Sequence, residues 1–68
     1  MMNKFGVRIG LDDHIEINGQ FGCVDFIGEE VLILTDEEGK HHRFAYPDIE
    51  SVRVHRRFLD DSLAHINL

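Results

Sequence analysis

Tryptophan is missing from this sequence, and cysteine, proline and tyrosine occur once each. The lone Cys23 excludes an internal disulfide. With no second cysteine at metal-ligand spacing, it also excludes a cysteine-based zinc site. A chain that folds without disulfides reads as a protein of a reducing compartment, so the expected location is the cytoplasm. The absence of tryptophan leaves little for an exposed aromatic groove of the kind that binds Pro-rich segments. No apolar run approaches the roughly 20 residues needed to cross a bilayer, so no membrane contact is expected. Residues Met1 to Gly6 lack the apolar stretch and small-residue cleavage site of a secretory leader. There is no Gly-rich phosphate loop, nucleophile elbow, kinase signature, internal repeat or low-complexity stretch.

What is present is a globular composition. The chain has 68 residues, 43% of them apolar and 29% charged, which is room for one core. A domain this small buries only about 60% of the surface its unfolded chain exposes. A catalytic cleft would compete with the core for the same side chains, and no enzyme is expected. The net charge is −6, which favours solubility and weighs against a dedicated nucleic-acid binder. The charge is uneven. The first 39 residues carry Lys4 and Arg8 against a large excess of acids, whereas Lys40, Arg43, Arg53, Arg56 and Arg57 cluster between 40 and 57.

The dominant period is two, so the chain reads as strands. Phe5, Val7, Ile9 and Leu11 are apolar at alternate positions, and Ile15 and Ile17 resume the pattern after Asp12-Asp13. Asn18-Gly19 is the strongest short hairpin signal, because both residues tolerate positive φ. In the run from Phe21 to Ile27, Gly22, Val24 and Phe26 share one face and Phe21 and Cys23 the other; Gly22 marks a bulge or bend. Val31 to Leu34 is apolar on both faces and fits a central strand. Asp36 to Gly39 forms a loop. His41 to Tyr46 is the next strand, with His42, Phe44 and Tyr46 on one face. Pro47 breaks the ladder, which fits a single 3₁₀ turn, and Ser51 to His55 is the last strand. From Phe58 onward the spacing of Phe58, Leu59, Leu63 and Ile66 is roughly helical, and Asp60 or Asp61 could cap a short helix. The predicted fold is a mostly-β, five-stranded SH3-like barrel over residues 1–57, with a 3₁₀ turn before its last strand. A short amphipathic helix or tail occupies 58–68.

Several residue groups invite a chemical reading. The carboxylate pairs all fall at predicted turns, and Asp36-Glu37-Glu38-Gly39 lacks the alternating spacing of a calcium loop. His41 and His42 are adjacent on a strand and point to opposite faces. His42 and His55 could meet across neighbouring strands, but zinc wants three or four ligands; no metal and no cofactor is expected. Cys23 lacks a local signal of activation and reads as a small buried hydrophobe, so no catalytic residue is assigned. The aromatics Phe5, Phe21, Phe26, Phe44 and Tyr46 read mostly as core. The basic group stands out. Arg43 and Arg53 are predicted on neighbouring strands in outward phase, and Arg56 and Arg57 extend the patch, with Tyr46 and Phe58 flanking it. Arginines beside aromatics are how small barrels bind phosphates and stack bases.

The stretches Ile15–Phe21, Val31–Asp36 and Phe44–Ile49 resemble a small β-barrel segment of Mu- and Tn7-class transposases, over about residues 7–54. The shared pattern is a strand, a glycine turn, an aromatic-led strand, an apolar strand, an acidic-Gly turn and an acidic-Ile step. The resemblance implies an accessory DNA-contacting or assembly module that lacks the acidic catalytic triad. The favoured reading is a non-catalytic module that binds a protein partner or a second copy through Phe58, Leu59, Leu63 and Ile66. The second reading is a nucleic-acid-binding barrel that uses Arg43, Arg53, Arg56 and Arg57, and the net charge disfavours it.

Overall fold

Asn18 and Gly19 both take positive φ, 52° and 85°. They form a two-residue hairpin turn in which Ile17 pairs with Gln20. From that turn the computed structural model, which describes residues 4–68, builds an antiparallel β-structure. The strands are β1 (Arg8–Gly10), β2 (His14–Ile17), β3 (Gln20–Ile27), β4 (Val31–Thr35), β5 (His41–Ala45), β6 (Val52–Arg56) and β7 (His65–Asn67). A 3₁₀ turn over Tyr46–Asp48, with Pro47 near its start, separates β5 from β6. Five strands form one sheet in the order β5-β4-β3-β2-β6, and β1 pairs with β7 in a second, two-stranded sheet. Among the described residues no helix is long and apolar enough to cross a membrane.

The alternation in the sequence becomes the two faces of the large sheet. Ile15, Ile17, Val24, Leu32 and Leu34 are fully buried on the inner face, joined by Ile9 of β1, Ile49 after the 3₁₀ turn, Tyr46 and Leu68. Phe5, Val7 and Leu11 pack against this core as their spacing predicts, although only Arg8–Gly10 of that run is strand. Tyr46 is fixed by its hydroxyl, which donates to the Gly28 carbonyl at 2.6 Å.

β3 departs from the expected phase. Gly22 sits where β4 approaches closely: a Cβ there would lie 2.9 Å from Leu34 Cβ and 3.0 Å from the Thr35 carbonyl oxygen. The bulge itself comes later, between Val24 and Phe26, where the register with β4 shifts. The extra residue, Asp25, turns Phe26 to the outer face opposite Ile33, and Phe26 is 49% exposed rather than core.

The tail departs further. No helix forms. Asp60 caps a turn instead, accepting from the Ser62 backbone N–H at 3.0 Å and the Ser62 hydroxyl at 2.7 Å. The chain then enters β7, whose Ile66 pairs with Ile9. Leu68 is 2% exposed; its carbonyl accepts from the Phe5 and Val7 N–H groups and its own N–H donates to Val7 at 2.7 Å. A helix of this length is marginal alone. Pairing with β1 satisfies the same backbone groups, buries Leu68 and packs a half-buried Ile66 on the core.

Candidate functional site

The strand order separates the basic group. β5 and β6 are the two edges of the five-stranded sheet, so Arg43 is not beside Arg53, and His42 is not beside His55. The cause lies after the 3₁₀ turn. Asn18 on the β2–β3 turn donates from Nδ2 to the Asp48 carbonyl at 3.0 Å, and its Oδ1 accepts from the Glu50 and Ser51 N–H groups at 2.7 and 3.0 Å. These bonds dock the linker on the far side of the sheet and steer β6 onto β2. Arg53 then pairs with Glu16, and Arg56 with His14. Arg57 is taken up internally: its Nη1 donates to the Arg8 carbonyl at 2.6 Å and stands 3.9 Å from Asp13 Oδ2.

An aromatic group sits beside Arg53 and Arg56 that the sequence reading left in the core. Cross-strand partners share a face, so Glu16, Phe21, His14 and Cys23 lie outward with them. The Phe21 ring meets His55 edge-on at 5.2 Å and His14 at 6.1 Å. Glu16 Oε1 holds His55 Nε2 at 3.1 Å. Phe21 shares the phase of Cys23, opposite to Val24, and that was the signal that places it outward. Tyr46 is buried and contributes nothing to this face.

The nucleophile and metal candidates are spread over separate partners. Cys23 lies opposite His14 in the β2–β3 register. Burial first, then the charges of Asp12, Asp25 and Asp13, push its thiol above the ordinary range. The thiol stays protonated at neutral pH and is a poor nucleophile. His42, His41 and His55 each stand beside a different carboxylate: Asp36 at 2.8 Å, Asp25 at 3.5 Å and Glu16 at 3.1 Å. Among the described residues no three His, Cys, Asp or Glu side chains converge on one point. The hydrogen bond from His42, followed by those from the Lys40 and Glu38 N–H groups, holds the Asp36 carboxyl down at about 2.

The tail residues divide. Ile66 packs on the core and Leu63 is half-buried. Phe58 and Leu59 stand out at 53% and 71% exposure. Their loop is anchored. The Phe58 N–H donates to Oδ1 of Asp13 at 2.7 Å, and Oδ2 of the same carboxylate accepts from the Gly10 N–H at 2.9 Å. Asp13 is only 3% exposed, so this is a buried carboxylate satisfied by the two segments it joins. Arg57 adds its bond to β1 beside it. Leu59 follows with φ at 65°, a conformation that is an outlier for a bulky residue.

A concavity of about 690 Å³ lies between β5, the 3₁₀ turn and β7. Val31, Ala45, Tyr46, Pro47 and Ile66 give it an apolar lining, and Glu29, Glu30 and Arg43 add charge. A smaller one of about 420 Å³ brings Arg56, Arg57 and Phe58 together with Asp12, His14 and Cys23. No family model, curated protein or solved structure matches this chain.

Proposed function

We propose that this chain is a non-catalytic, SH3-like interaction module that contacts a protein partner through Phe58 and Leu59 of the β6–β7 loop. The observation that carries the reading is the combination of exposure and anchoring in that loop. A single exposed apolar side chain needs no explanation. Two adjacent ones, on a backbone tied to a buried carboxylate and with Leu59 at positive φ, are held out at a cost. Such strain persists where the surroundings over-determine it, and it concentrates at functional segments. The strand order, with β6 returning to β2 after a 3₁₀ turn, supports the SH3-like description.

The test is a photo-crosslinking amino acid placed at position 58 or 59 in cells that express the chain, with the exposed Glu37 as control. Discrete protein adducts are expected from 58 and 59 and not from 37. No adduct at either loop position would remove the reading.

The outer face around Phe21 supports nucleic-acid contact as a second reading, because His14 and His55 meet a ring that a base could stack on, and Arg53 and Arg56 lie two strands away on the same face. The site is then Arg53, Arg56 and Phe21, with Arg43 at the other sheet edge and Arg57 engaged internally. This fits the accessory DNA-contacting role that the transposase-barrel resemblance implies. Binding should fall with salt and weaken on Arg53→Ala. No retention of any DNA or RNA at low salt would end it.

A further inference from the structure

We infer that the acceptor for Phe58 and Leu59 is the cleft between β5 and β7 of a second copy of this chain, an inference that rests on reading that loop as the contact. The loop and the cleft complement each other. Along the chain the loop runs from basic to apolar to acidic: Arg56, then Phe58 and Leu59, then Asp60. The cleft offers Glu29 and Glu30 from the β3–β4 turn, an apolar lining that includes Val31, Ala45 and Ile66, and Arg43 from β5. Arg56, Glu29, Glu30 and Arg43 form no ion pair among the described residues, so their charges are available to a partner.

Other contacts between copies meet a penalty that this one avoids. The chain carries −6 overall, and its acids crowd residues 1–39, so two copies brought together at random repel. Arg53 and Arg56, both exposed, carry the positive charge that can approach an acidic rim. The loop does not fill the cleft of its own copy. Leu59 borders a different hollow, which Arg8, Gly10 and Leu11 near the β1–β2 turn also line, and no residue of positions 56–60 lines the β5–β7 cleft. Donor and acceptor are therefore separate surfaces of one molecule, and the contact runs between copies.

The test is the solution mass of the purified full chain by sedimentation up to millimolar concentration, with donor and acceptor altered separately. Phe58→Ser with Leu59→Ser removes the donor. Ala45→Arg fills the acceptor, and Glu29→Lys with Glu30→Lys, both exposed, reverses its rim without touching the core. Self-association of the unaltered chain is expected to weaken more than about tenfold in the donor variant and in Ala45→Arg, as for a central apolar anchor. The rim reversal should weaken it about two- to fivefold, as for exposed charge pairs. Donor-dead and acceptor-dead copies, each monomeric alone, should form one-to-one complexes when mixed. A monomeric unaltered chain throughout the range would overturn the inference. So would association that the donor variant loses and both acceptor variants keep, although position 58 could then still crosslink to another protein and the contact reading would stand. A donor variant that associates normally would also overturn the inference, while the contact reading would still stand or fall on the crosslinks at 58 and 59.

Discussion

The β2–β5 meander and the tail from Arg56 to Leu68 are built by different means. In the meander each strand is followed by its partner. Asn18-Gly19 sets the first turn, Asp36 and Gly39 set the β4–β5 loop, and alternation decides which side chains go inside. In the tail the turn at Asp60–Leu63 is local, but the rest is decided at a distance. Its strand pairs with β1, more than 50 residues earlier in the chain, and its loop is fixed by a carboxylate at position 13. Local pattern therefore determines the sheet, while distant partners determine the tail. The tail then serves two ends, since Ile66 and Leu68 complete the core and Phe58 and Leu59 stay outside.

Variants can break or sharpen this contrast. The largest effect is expected at Leu68. Leu68→Ala should cost about 2–5 kcal/mol in urea unfolding, as for a buried leucine, whereas an independent tail would leave the midpoint unchanged. Deletion of 58–68 removes the same core residue, so it should unfold the chain rather than report on contacts. Next comes Gly22→Ala in the meander. Its Cβ would meet the Leu34 side chain and the Thr35 backbone, with an expected cost of about 1–3 kcal/mol.

A smaller effect concerns pH. The folded state holds the Asp36 carboxyl at about 2 against an ordinary 3.8, chiefly through the His42 hydrogen bond. A lowered folded value adds stability that is present above the ordinary range and is lost as pH falls through the folded value. Thermal melts should therefore show a loss between pH 4 and 2 that His42→Gln flattens; an unchanged acid limb in that variant would remove the bond from the account. The smallest effect has the opposite sign. Leu59→Gly relieves the positive φ and should stabilise the fold by up to about 1 kcal/mol while weakening the proposed contact.

The division between legible and illegible features follows the same line. Alternation placed Ile15, Ile17, Leu32 and Leu34 inside, and Pro47 marked the 3₁₀ turn, because these depend on neighbours in sequence. Phe26 was misplaced because one bulged residue, Asp25, reverses the phase of everything after it, and the visible breaker, Gly22, serves close packing instead. Arg43 and Arg53 follow each other on successive strands, and nothing near them shows that Asn18 sends β6 across the sheet. The helical spacing in the tail is real, but pairing with β1 overrides it. The sequence groups Phe58 and Leu59 with Leu63 and Ile66, and nothing local shows that only the first two stand out; the cleft was not legible either, since β5, the 3₁₀ turn and β7 meet only in the fold.

Amide hydrogen exchange on the unaltered full chain tests most directly whether the tail is a locked element that presents a fixed apolar pair. The account predicts that the Leu68 and Phe58 amides, bonded to Val7 and Asp13, exchange as slowly as amides of the meander, while the Leu59 amide beside them exchanges fast. Exchange of Leu68 and Phe58 at unstructured-chain rates would contradict it.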